Sequence, residues 1–259
     1  MKSELEKVTF VVPQGSVVGP KLFILYINDL CTVSNVLQFV NFADDTTLFC
    51  SGKKLEELLN TVEEELKKLK IWFDINKLSL NVSKTKFIVF GNRKLHDEVT
   101  LKIDDVEIER VAENKFLGVI IDKKLNWKTH IKYIKSKISK SIAILHKTKH
   151  ILDQRSLHML YSSLITPYLT YCAELWGNTY KTNTNCIVLL QKRAIRIVNG
   201  VDYIHPTNLL FANSRSLKFK DLVELKTLEI LFRAKSKTLP DCIQGLFSMR
   251  ESRYLLRGA

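Results

Sequence analysis

The sequence predicts an α+β chain, and three observations carry that expectation. Short β-prone runs broken by turn residues crowd the first 121 positions. From Trp127 onward the apolar residues recur at helical spacing. The 259 residues are 46% hydrophobic and 26% charged, enough to bury a core, and with 9 Gly and 5 Pro they are neither collagen-like nor of low complexity. No apolar run nears the roughly 18 residues that span a bilayer. The charged start from Met1 to Lys7 lacks the apolar stretch of a signal peptide.

The elements follow in order. Val8–Val12 reads as a strand and Pro13–Ser16 as the turn that ends it. Ser16 is expected to cap a helix from about Val17 to Leu30. Leu37–Val40 and Thr46–Phe49 flank Phe42-Ala43-Asp44-Asp45, a hairpin tip. Leu55, Leu58, Leu59, Val62, Leu66, Leu69 and Phe73 form a helical stripe, with the Glu and Lys residues on the other face. A strand is expected at Lys86–Phe90, a hairpin from Val99–Ile103 and Val106–Arg110, and another β-rich run at Phe116–Ile121. Ile131, Ile134, Ile138, Ile142 and Leu145 mark the next helix, and further helices are expected over 154–166, 185–199 and 217–237. Gly200 to Pro206 reads as a loop.

Charge is the outlier in composition. Forty Lys and Arg against 27 Asp and Glu leave a formal net charge of +13. Residues 1–50 are net −2, whereas 51–150 and 151–259 are net +8 and +7. The densest stretch, 115–155, holds 11 Lys or Arg against Asp122 and Asp153 alone. Such an excess fits a polyanionic partner, nucleic acid before a membrane surface, or simply a Lys-rich solvated surface. The five Cys are widely spaced with no Cys-x-x-Cys pair, which reads as reduced intracellular thiols placed mostly in the core. His146 and His150 are four apart with no further ligand nearby and read as a solvated helix face.

Three features carry chemistry. Asp44 and Asp45 sit between apolar strands, where paired carboxylates need a positive partner. A divalent ion with oxygen ligands supplies one and suits nucleotidyl transfer. The plain alternative is an Asp-Asp turn, as the Lys- and Glu-flanked Asp104-Asp105 pair is read. Pro13-Gln14-Gly15-Ser16-Val17-Val18-Gly19-Pro20 imposes a specific backbone path at a helix start, where amides favour anions. The helix after Trp127 carries Lys128, Lys132, Lys135, Lys137 and Lys140 around its apolar stripe, fit to track a phosphate backbone or only to face water.

In order, these segments resemble the palm of reverse transcriptases from non-LTR retrotransposons of the LINE type, in particular the animal jockey-like group. The resemblance continues through Leu80-Asn81-Val82-Ser83-Lys84-Thr85-Lys86 and Phe116-Leu117-Gly118-Val119-Ile120-Ile121-Asp122. It then runs through Leu125-Asn126-Trp127, His130-Ile131, Trp176-Gly177 and Leu190-Gln191-Lys192-Arg193-Ala194-Ile195-Arg196, so that it covers about Val8 to Leu246. It implies RNA-templated DNA synthesis with two Mg²⁺ (or Mn²⁺) ions, an RNA template, a DNA primer and deoxynucleoside triphosphates as partners, and no membrane. Asp44 would be the principal metal ligand and Asp45 its neighbour. Gln14, Gly15, Ser16, Phe42 and Ala43 would lie beside the incoming nucleotide and template. Lys84, or Lys86 in its place, would protonate pyrophosphate. Phe116, Leu117 and Gly118 would form the primer grip, and Lys128, Lys132 and Lys135 would hold the RNA–DNA hybrid by its backbone.

The resemblance also implies an incomplete right hand. Residues 1–124 correspond to a partial palm with the primer-grip hairpin, 125–200 to a basic helical thumb and 201–259 to a helical extension. The fingers and the upstream strand with the family's other essential Asp have no counterpart. Val11 and Asp105 stand where Gly is common. The expectation is a fragment of a larger polyprotein, of nuclear or cytoplasmic location, inactive in isolation and with an exposed apolar edge; the alternative is a non-catalytic nucleic-acid-binding remnant of a decayed element.

Overall fold

The computed structural model describes residues 15–91 and 100–248. The expected strand Val8–Val12, the turn residues Pro13 and Gln14, and Val99 lie outside these residues. Between Ala112 and Glu113 the chain divides into two compact units. As expected, both helices and strands are present. The strands, however, form four two-stranded ladders among the described residues, and no continuous sheet joins them.

In the first unit, α1 spans Gly19–Ile27 and passes into a 3-10 turn at Asn28–Thr32. Pro20 in the first turn pre-sets the helical φ, so the helix begins there, later than expected. Ser16 Oγ accepts the Val18 amide at 3.3 Å but caps no helix; the N-cap is Val18, without a side-chain cap. Strands β1 (Gln38–Phe42) and β2 (Asp45–Phe49) form an antiparallel hairpin closed by Ala43 and Asp44. Helix α2 (Leu55–Ile75) presents Leu66 and Leu69 to the core. One acidic residue departs from the expected polar face: Glu65 is 5% exposed. It is held by Lys68 at 2.6 Å and by the Ser34 hydroxyl, and these two bonds, Lys68's foremost, keep its carboxyl below the usual range. Ser34 Oγ in turn accepts the amides of Val36 and Leu37, which sets the chain's entry into β1.

The rest of the unit is made of very short pairs. Strand β3 is only Lys86–Phe87, and it pairs in parallel with β6 (Glu109–Arg110). Strands β4 (Lys102–Ile103) and β5 (Val106–Glu107) form the expected hairpin around Asp104-Asp105. Leu101, Ile103 and Ile108 are buried with Ile27, Leu30, Leu37, Leu66 and Leu69.

The second unit opens with β7 (Glu113–Phe116) and β8 (Val119–Asp122), joined by a two-residue turn. The single β-rich run expected over 116–121 is thus a hairpin. Leu117 and Gly118 have φ of 44° and 89°. Positive φ at both positions is the turn geometry whose twist matches an antiparallel pair. Asp122 then organises the next loop: its carboxylate accepts the amides of Lys124, Asn126 and Trp127.

Eight helices follow: α3 (Lys128–Thr148), α4 (Gln154–Leu164), α5 (Thr166–Thr170), α6 (Ala173–Trp176), α7 (Lys181–Val198), α8 (Asn208–Asn213), α9 (Phe219–Lys235) and α10 (Asp241–Gln244). The helix expected over 154–166 stops at Leu164, because Pro167 cannot donate into its ladder and starts α5 instead. All five residues of the α3 stripe are buried and pack with Ile187, Ala194, Ile195 and Val198 of α7. Trp176 stacks on Phe219 with ring centroids 5.4 Å apart. Gln191 is 1% exposed and fully engaged: its amide donates to the Tyr161 hydroxyl and the Leu217 carbonyl, and its oxygen accepts the Phe219 amide.

Three of the five cysteines, Cys50, Cys172 and Cys186, pack against the two cores, in line with the expectation. Cys31 and Cys242 are exposed, Cys50, Cys172 and Cys186 are half-buried, and all five are free thiols. His146 and His150 are exposed, as their spacing implied.

Candidate functional site

The hairpin β1–β2 places Asp44 in its turn and Asp45 at the start of β2, opposite Phe42. Ala43, at φ 52°, provides the left-handed step that reverses the chain. Alternation puts Asp45 on the same face as Val40, Phe42 and Phe49, which are 42%, 60% and 44% exposed. Leu37, Phe39 and Leu48 belong to the core side. Both carboxylates are exposed. The expectation of carboxylates caught between buried strands is therefore corrected: the hairpin has no third strand among the described residues, so water reaches both. Burial does not distinguish this pair from Asp104-Asp105, which is exposed too.

Of the other expected residues in this unit, Gln14 lies outside the described residues. Gly15 has φ 87° with nothing near its missing Cβ, so its role is conformational. Ser16 is half-buried. Lys84 is exposed at the end of the 3-10 turn Val82–Lys84, and its amine enters no ion pair among the described residues. Lys86 is engaged: its Nζ meets Glu109 at 2.9 Å.

In the second unit, Phe116, Leu117 and Gly118 form the tip of the β7–β8 hairpin. Residues not anticipated from the sequence hold that tip. The Tyr171 hydroxyl donates to the Leu117 carbonyl. The Tyr171 ring lies 3.4 Å from where a Cβ on Gly118 would fall. Ile120 donates its amide to His130 Nδ1 at 3.2 Å, which ties β8 to α3. Nothing in local sequence marked Tyr171, which sits 54 positions from Leu117.

Helix α3 carries no Asp or Glu along its 21 residues. Lys128, Lys132 and Lys135 are exposed and enter no salt bridge among the described residues. Lys137, with Lys115 from β7, places its Nζ over the Tyr133 ring, at 5.4 and 5.3 Å respectively. Helix α7 is also free of acidic residues and brings Lys181, Lys192, Arg193 and Arg196. That second basic helix was not singled out, although the absence of carboxylates over 181–198 was a readable signal. Trp176-Gly177 and Gln191, parts of the resemblance, are packing residues.

The reverse transcriptase (RNA-dependent DNA polymerase) family matches residues 2–121. The RNA-directed DNA polymerase from mobile element jockey of Drosophila melanogaster is 25% identical over 212 residues, which are 78% of this chain and 23% of that protein. The probable RNA-directed DNA polymerase from transposon BS of the same fly is 27% identical over 74% of this chain and 22% of its own length. The first half of this chain is thus similar to reverse transcriptases, and the chain as a whole to polymerases of jockey-like mobile elements. A Pol polyprotein of the type-1 retrotransposable element R1 2 from Nasonia vitripennis is 24% identical over 65% of this chain and 44% of its own length. The chain spans about a quarter of the length of the jockey and BS polymerases it matches. No solved structure matches it.

Reverse transcriptases use divalent metal ions. In this chain the described residues contain no group of three or more His, Cys, Asp or Glu able to hold one. Asp44 and Asp45 alone do not fit a two-ion centre, which needs bridging carboxylates from more than one segment. Among the described residues no helix is long and apolar enough to cross a membrane.

Proposed function

We propose that this chain is part of the RNA-directed DNA polymerase of a non-LTR retrotransposon and that, as it stands, it grips an RNA–DNA hybrid without extending the primer. In this reading residues 1–124 contribute to the palm, with Asp44 and Asp45 offered as ligands for Mg²⁺ and Gln14, Gly15, Ser16, Phe42 and Ala43 beside nucleotide and template. Phe116, Leu117 and Gly118 form the primer grip, and the helices from α3 act as thumb. Lys84 protonates pyrophosphate, since Lys86 is occupied by Glu109.

The observation that carries the hybrid-binding reading is α3, a helix without a carboxylate whose Lys128, Lys132 and Lys135 are exposed and unpaired among the described residues. Lysines so placed meet phosphates as point charges and carry no sequence readout. What supports the reading that the chain does not extend a primer is its carboxylates: among the described residues no third acidic group joins Asp44 and Asp45 at their exposed tip. A non-catalytic binding remnant has the same expected phenotype in isolation, so a chimera separates the two readings.

In the chimera, residues 2–121 replace the matching segment of the jockey polymerase. Primer extension on an RNA template is expected, lost with Asp44→Ala and slowed more by Lys84→Ala than by Lys86→Ala. An inactive chimera alongside an active parent leaves the remnant reading. Activity undiminished by Asp44→Ala would remove that residue from the chemistry. Incorporation by the isolated chain would refute its assignment as inactive.

A further inference from the structure

A cavity of about 750 Å³ lies wholly within the second unit, between the hairpin tip at Leu117–Gly118, the α5 segment and α9. That is a size that encloses one nucleotide-sized molecule. Three tyrosines line it. Tyr133 already carries two ammonium groups on its ring, and the Tyr171 hydroxyl is committed to Leu117. Tyr168 is different. It is half-buried at the cavity wall, where it also packs against the core cluster, and among the described residues its ring makes no aromatic contact and its hydroxyl no hydrogen bond.

Two ionic groups on the wall differ in access. The Arg233 guanidinium, on the exposed side of α9, has no hydrogen-bond or ion-pair partner among the described residues, whereas its neighbour Lys226 pairs with Glu229 at 2.7 Å. Glu174 Oε2 is shielded from solvent and receives no donor. A tyrosine ring with no aromatic partner and an unpaired guanidinium thus share the wall of one cavity. The ligand that meets both is a nucleotide: a π-face for the ring and a phosphate for the guanidinium. An apolar ligand would leave the guanidinium unpaired, and a bare anion would have no use for the ring.

We propose that this cavity holds one unpaired nucleotide of a nucleic-acid strand, its base stacked on Tyr168 and its phosphate met by Arg233. The inference rests on the reading of the chain as a nucleic-acid binder, and adds to backbone grip a pocket for a base outside the duplex.

The test uses the 259-residue chain, a short single-stranded DNA, the same strand with its bases removed at the central positions, and an RNA–DNA hybrid. The wild type is expected to bind the intact strand about tenfold more tightly than the abasic one. Tyr168→Leu is expected to abolish that preference while leaving the salt dependence unchanged, because the slope counts phosphate contacts and not stacking. Arg233→Gln is expected to lower the salt slope for the strand by about one. Hybrid binding should be indifferent to both changes. Equal binding of the two strands by the wild type, or a preference that survives in Tyr168→Leu, overturns the proposal. If Tyr168→Leu does not fold by circular dichroism, Arg233→Gln decides, and an unchanged slope overturns it. If the hybrid binds but the base preference is absent, the pocket alone falls; if neither strand nor hybrid binds, the hybrid-binding reading falls with it.

Discussion

His130 is 1% exposed, and its Nδ1 accepts the Ile120 amide, so the neutral ring carries its proton on Nε2, which has no acceptor. Burial pushes its pKa below the ordinary 6.5. As pH falls through 6.5 the unfolded chain therefore takes up the proton first. The residue's contribution to stability is complete above that value and drains away below it, with a slope approaching about 1.4 kcal/mol per pH unit. Urea unfolding at pH 7.5 and 5.5 should show a larger loss for the wild type than for His130→Asn; equal losses would place the acid sensitivity elsewhere. Asp122 is the other decisive single residue. Its carboxylate satisfies three loop amides and holds Trp127 at φ 64° at the head of α3. Asp122→Ala is expected to cost roughly 3 kcal/mol in denaturant unfolding, since those donors lose their acceptor. Asp44→Ala, at an exposed turn, should stay within about 0.5 kcal/mol of wild type, so a loss of activity in the chimera would report chemistry and not folding.

Among the elements, periodicity was a sound guide where a helix has one buried stripe. The apolar stripe of α3 was readable because each of its isoleucines must face inward once the helix forms. Helix α9 was visible too, though it exposes Leu228 and Phe232, at 54% and 70%, beside its buried residues. The hairpin turns were less legible. Two-residue turns depend on the backbone tolerating positive φ, and here Ala43, Asp104 and Leu117 accept it without being glycine. The short helices α6, α8 and α10 left no periodic signal, being little more than a turn each. Gly177 shows how packing fixes a residue: a Cβ there would sit 2.4 Å from Val223 Cγ2, where α6 meets α9. Gly177→Ala is expected to destabilise by about 1–3 kcal/mol, read as a lower urea midpoint at unchanged slope. A silent substitution would mean that the two helices separate easily.

Across the chain, the two cores differ. The second unit buries a contiguous cluster built on α3, α7 and α9, whereas the first relies on eight buried residues and leaves Val40, Phe42 and Phe49 on an open hairpin face. Amides of β1 and β2 should accordingly exchange with solvent faster than those of α3 and α7. Charge follows its own division: the first fifty residues are net negative and the excess lies behind them. Replacing Lys128, Lys132 and Lys135 together with Gln should lower the slope of log affinity against log salt for an RNA–DNA hybrid by about 2–3. An unchanged slope would show that other cations make the phosphate contacts.

Composition, periodicity and ordered motifs were enough to establish the mixed architecture, the α3 stripe, the basic rear and the resemblance to reverse transcriptases, because each is a property of neighbouring residues in the chain. They could not establish what Asp44 and Asp45 face, since burial depends on which strands lie alongside, and here the tip is open to water. Nor could they find Tyr171 beneath the hairpin tip, Gln191 knotted to Phe219 or the cavity beside Tyr168. Those arrangements join residues tens of positions apart, and distance along the chain carries no information about them until packing brings the surfaces together.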